Sequence, residues 1–68
     1  MTRYKEGIEL AEMIIDARNE HGLSRTQLAQ KAGISQATIV KLESGGGNPS
    51  FKTLNRIARA LDKRVVLQ

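Results

Sequence analysis

Between Ser24 and Ser35 the chain starts a helix, stops it and starts another. This punctuation limits the available folds more than any other feature of its 68 residues. Ser24 opens Ser-Arg-Thr-Gln, a capping-box pattern in which a serine and a glutamine three residues apart satisfy free backbone N–H groups at a helix start. Leu28, Ala29 and Ala32 then fall on one side of a helix that stops at Gly33, where a residue without Cβ takes the left-handed backbone at little cost. Only Ile34 separates that glycine from Ser35, which caps a second helix carrying Ile39 and Leu42 at i, i+3 spacing. A turn of about three non-helical residues makes the two helices cross closely, and Ala29 is small where they must meet.

The flanks extend the pattern. Apolar residues at Ile8, Leu10, Ala11, Met13, Ile14, Ile15 and Ala17 predict a first helix over about residues 5–21, stopped by Gly22. Leu10, Met13, Ile14 and Ala17 form one stripe and Ile8, Ala11 and Ile15 a second, an apolar arc wide enough for two covering surfaces. After a loop from Ser44 to Asn48, Ser50 caps a last helix whose inward face is Phe51, Leu54, Ile57, Ala58 and Leu61. Beyond Asp62, Val65, Val66 and Leu67 read as one short β-strand. The expected fold class is all-α, four to five short helices over residues 1–62, with residues 63–68 as a strand-forming tail.

Composition removes other classes. There is no cysteine, hence neither a disulfide framework nor a thiolate metal site. No apolar run exceeds three residues, too short for a membrane span, and the first ten residues are too charged for a secretory signal, so a cytoplasmic location is expected. Charge is uneven. Residues 1–22 hold three cations against five anions, whereas residues 23–68 hold eight cations against only Glu43 and Asp62. A basic two-thirds fits an anionic partner or a solvated surface. No enzyme, cofactor or metal is expected. The single histidine, His21, falls at a helix end where it suits the helix dipole, and the one-sided acids Glu9, Glu12 and Asp16 suit a solvated face.

Two short serine-capped helices joined by a glycine turn are helix-turn-helix architecture, whose second helix enters the DNA major groove. LSRTQLAQKAGISQATIVKLESG resembles that motif in the lambda-repressor-like family, also called Cro/CI or XRE type. NPSFKTLNRIARAL resembles the helix that completes the family core, and the likeness runs from about Leu10 to Leu61. The resemblance implies a compact bundle that binds double-stranded operator DNA as a homodimer, with a recognition helix over about residues 35–44. It places Gln36, Ala37, Val40 and Lys41 at the base edges. Gln36 can bond adenine N6 and N7, Lys41 can donate to guanine O6 and N7, and Ala37 can touch a thymine methyl. It places Ser24, Arg25 and Gln27, then Ser35 and Thr38, then Ser44, Asn48 and Lys52 on the phosphates. Arg56, Arg59 and Arg64 read as solvated charge, with secondary phosphate contacts as the alternative. Many relatives carry cations in the loop where this chain has Gly46 and Gly47, so phosphate contact there falls to backbone amides and Asn48.

The resemblance also implies an ion pair, Arg18 with Glu43, tying the first helix to the end of the recognition helix. The tail has three alternatives: pairing of Val65, Val66 and Leu67 with the same strand of a second copy, folding back on the first helix, or fraying. Strand-tailed relatives include antitoxins. The expected function is therefore a transcriptional repressor that binds a specific DNA sequence. The alternative is an antitoxin or interaction module whose main role is to hold a cognate toxin or another protein.

Overall fold

The computed structural model describes residues 3–66, with side chains from residue 9 onward. Four helices follow one another: α1 (Arg3–Glu20), α2 (Arg25–Ala32), α3 (Gln36–Glu43) and α4 (Phe51–Ala60). The starts of α2, α3 and α4 obey the serine code. Ser24, Ser35 and Ser50 are extended, and their side chains accept from the backbone N–H of Gln27, Thr38 and Thr53. At Ser24 the capping box closes in both directions: its Oγ accepts from Gln27 N at 3.0 Å, and its N–H donates to Gln27 Oε1 at 2.8 Å.

All four helices end by the same device, a left-handed residue followed by a bond from the next N–H back to the carbonyl five residues earlier. Those closing bonds are Leu23 N to Arg18 O at 3.1 Å, Ile34 N to Ala29 O at 3.0 Å, Gly46 N to Lys41 O at 3.1 Å and Lys63 N to Ala58 O at 2.7 Å. Gly33, at φ 73°, is the left-handed residue that turns α2 into α3. At the end of α4 that place is taken by Asp62, at φ 55°, a conformation in which aspartate is one of the better-tolerated non-glycine residues. After α1 and α2 the next residue is apolar, and Leu23 and Ile34 fold down onto the core.

α2 packs against both α3 and α4, while α1 packs against α3. Leu28 of α2 and Ile39 of α3 are wholly enclosed, surrounded by Ile14, Ala17, Ala29, Leu42, Ile57 and Leu61. Each enclosed leucine or isoleucine contributes about 1.5–3 kcal/mol relative to exposure. Ala29, buried, is the small residue that the tight pair requires. No helix among the described residues is long and apolar enough to cross a membrane.

Three expectations need correction. No strand forms among the described residues: Lys63 to Val66 is irregular, and Leu67 lies outside them. β-branched composition gives a chain the means to be a strand, but a strand exists only by pairing, and none of the four helices offers a ladder. Phe51, expected on the inward face of α4, is 55 % exposed, so the covered face of that helix begins at the half-buried Leu54. Met13 belongs to the main stripe of α1 and is 67 % exposed, which leaves part of that stripe uncovered. In the second stripe Ala11 is buried and Ile15 half-buried, and the side chain of Ile8 lies outside the described residues.

Candidate nucleic-acid interface

α3 divides its residues cleanly. Ile39, Leu42 and Glu43 are buried, whereas Gln36, Ala37, Val40 and Lys41 are exposed. At 100° per residue those four occupy one continuous arc, as a helix lying in a groove requires. The four expected base-reading side chains are therefore brought together on one open surface. Ser35 and Thr38 sit at the N-terminal edge of that surface and are bonded to each other, Oγ to Oγ1 at 2.8 Å. The Ser35 hydroxyl also accepts from Thr38 N at 3.2 Å. The cap leaves the first N–H groups of α3 and their partial positive charge directed outward, which suits an anion.

The expected phosphate residues fall into two groups. Ser24, Arg25 and Gln27 lie at the start of α2, all exposed, but the Gln27 carbonyl is already taken by the capping box. Ser44 and Asn48 lie beyond the end of α3, where Ser44 Oγ donates to Lys41 O at 2.7 Å. A cleft of about 240 Å³ opens between α3 and the start of α4, lined in part by Thr38, Lys41, Asn48, Ser50 and Thr53. Lys52 is exposed on the first turn of α4 but does not line the cleft. Ser50 had a sequence signal only as a helix cap and Thr53 had none, which is why sequence reasoning gave them no place beside Asn48.

Behind this surface lies a buried carboxylate. Arg18 Nε donates to Glu43 Oε2 at 2.7 Å and Arg18 Nη2 to Glu43 Oε1 at 3.2 Å. Arg18 Nη1 also donates to the Leu23 carbonyl at 2.9 Å, so one guanidinium joins α1, the α1–α2 turn and α3. Arg25 adds a bond from its Nε to Glu43 Oε1 at 2.9 Å. The Glu43 side chain is 1 % exposed, against 14 % for Arg18 and 49 % for Arg25. Burial pushes the Glu43 carboxyl up, but the hydrogen bonds and charges of the two arginines outweigh it and hold its pKa below the ordinary value. The second arginine had no sequence signal, since residues 18 apart on different helices meet only in the folded chain. Half-exposed Arg25 keeps both Nη groups free of that carboxylate at the start of α2. Arg56, expected as solvated charge, is exposed and also donates from Nη1 to the Gly33 carbonyl at 3.3 Å.

The electrostatic result is one-sided. Glu43 is the only acid between Ser24 and Asn48, and it is buried and neutralised, so this stretch exposes no carboxylate. Arg25, Lys31 and Lys41 remain exposed on it. The surface can accept a polyanion without like-charge repulsion.

The chain is similar to known proteins in sequence and in fold. A family model described as Helix-turn-helix (HTH_3) matches residues 14–67. An uncharacterized HTH-type transcriptional regulator of Methanothermobacter thermautotrophicus is 41% identical over 51 residues, covering 75% of this chain and 74% of the relative. Antitoxin HigA1 of Mycobacterium tuberculosis is 35% identical over 63 residues, 93% of this chain but 42% of the antitoxin. Antitoxin HipB of Escherichia coli O6:H1 is 34% identical, with 87% of this chain and 63% of HipB covered. Among solved structures, an HTH_3 family transcriptional regulator from Vibrio cholerae superposes with a TM-score of 0.85 at 31% identity. That match takes in 91% of this chain and 35% of the Vibrio protein, so the chain spans about a third of the larger regulator's length.

Proposed function

Because the chain belongs to the helix-turn-helix family, we propose that it is a transcriptional repressor that lays α3 in the major groove of a specific operator. At family level it is a DNA-binding regulator or antitoxin, and the relatives cited above are named as regulators and antitoxins. The observation that carries the reading is the exposed arc of Gln36, Ala37, Val40 and Lys41 on a helix whose other side is locked into the core. Gln36 and Lys41 carry the hydrogen-bonding chemistry for adenine and guanine edges, each good pair giving about 1–3 kcal/mol of discrimination. Ser24, Arg25, Ser35, Thr38, Ser44, Asn48 and Lys52 set the register on phosphates. Gln27 has only its side-chain N–H groups left for that task.

One such domain reads a half-site, so the working unit is two chains with recognition helices about 34–36 Å apart. A mobility-shift titration on a duplex selected from a random library tests the reading. Binding should weaken with salt, each neutralised phosphate adding about −0.9 to the log–log slope. Failure to bind any duplex at low salt removes it.

The names HigA1 and HipB favour a second reading, an antitoxin that represses its own operon and holds a toxin. Stable co-purification with the product of a neighbouring toxin-like gene supports that version, and its absence leaves the free-standing repressor.

A further inference from the structure

A second surface owes nothing to the DNA reader. α1, α4 and residues 63–66 enclose an open groove of about 520 Å³. Its floor is apolar, formed by Leu10, Ile14, Ile57 and Leu61, and Met13 and Val66 stand beside it, each 67 % exposed. Two large, exposed apolar side chains beside one apolar groove mark an interaction surface more than a random scatter does. None of the base-reading or phosphate-contacting residues named above lines it.

The charges lining this groove are divided by sign. Asp16 and Glu20 come from α1, one turn apart, while Lys63 and Arg64 come from the segment after α4. All four are exposed, and among the described residues none of them forms an ion pair within the chain. A patch with one acidic and one basic edge is not complementary to a partner of single sign. Turned through 180° it is complementary to itself, since a two-fold rotation brings each acidic edge onto a basic one.

We propose that this groove is the site at which a second copy of the chain docks, with Asp16 and Glu20 of each copy facing Lys63 and Arg64 of the other. Met13 and Val66 are covered at the centre of the contact. The proposal rests on the two-chain reading of operator binding and names the surface that reading leaves open. It differs from strand-to-strand pairing of the tails, which relies on backbone bonds and is indifferent to the sign of residues 16, 20, 63 and 64.

Reciprocal charge reversal tests it. D16K/E20K makes both edges basic, and K63E/R64E makes both acidic. Sedimentation equilibrium is run on each variant, on their equimolar mixture and on the wild type, with thermal melts to confirm folding. The wild type should dimerise, each variant alone should dimerise about tenfold or more weakly, and the mixture should recover a heterodimer, because every contact in it again joins opposite signs. M13E should weaken the wild-type dimer by a separate route, which keeps the test alive if a charge reversal unfolds the chain. Dimerisation of either reversed variant or of M13E at wild-type strength overturns the proposal and leaves the two-chain reading standing. Variants that fail alone and also fail when mixed overturn it too. A wild-type chain that stays monomeric overturns it outright, and operator binding is then judged by the mobility shift alone.

Discussion

At its start α3 is closed by a serine cap and leaves Gln36 and Ala37 in solvent. At its end Glu43 is buried under two arginines drawn from α1 and α2. The same eight-residue helix is thus held at one end and offered at the other. The anchored end sets where the helix points, and its residues are constrained by charge and burial together. The offered end is constrained only by the cap, so its side chains can change with the sequence to be read and leave the fold alone. The proposed role of α3 in reading DNA needs both properties, and here they are separated by two turns.

The largest effect on this contrast comes from the anchor. Glu43→Ala leaves Arg18 uncompensated in a nearly buried position and should cost about 3–5 kcal/mol in urea unfolding. A loss below about 1 kcal/mol would mean that the pair behaves as a surface ion pair and anchors nothing. The same carboxylate gives the fold a defined acid sensitivity. Its folded pKa is depressed, so its contribution is complete above the unfolded glutamate value of about 4.3 and fades as the pH falls through the lower folded value. Glu43→Gln should flatten that limb of the stability–pH curve, measured against the wild type by thermal melting.

At the offered end the effects shrink. Ser35→Ala removes the acceptor for Thr38 N and should cost about 1 kcal/mol, read from the same urea curves. Gln36→Ala, one residue further on, should move stability by less than about 0.5 kcal/mol. An equal loss at Glu43 and Gln36 would erase the distinction between the two ends.

What was legible in the sequence was local. The serine caps and the glycine stops announce themselves within three or four residues, because they answer the unmet N–H and C=O groups of one helix end. Helical spacing marked Ile39 and Leu42 as the inward pair of α3, whereas its outward arc of Gln36, Ala37, Val40 and Lys41 was reached through family resemblance. Arg18 with Glu43 was reached through family resemblance alone, and the Arg25 bond to the same carboxylate was out of reach, since only the crossing of α2 and α3 brings those side chains together. The tail failed in the opposite direction: Val65 and Val66 have the composition of a strand, yet composition cannot supply a neighbour. Met13 and Phe51 failed because periodicity tells which side of a helix is apolar but not how far its neighbours extend to cover it.

The central claim is that the open arc of α3 reads DNA bases. The most direct test is selection of duplexes from a random library by the wild type and by Gln36→Ala, with affinities then measured for the winning site. The account predicts an enriched motif of two half-sites, about a 5- to 150-fold weaker grip by the variant, and relaxed preference at one position per half-site, in line with about 1–3 kcal/mol per lost base contact. An identical motif bound with equal affinity by both proteins, or no enriched motif for the wild type, would contradict it.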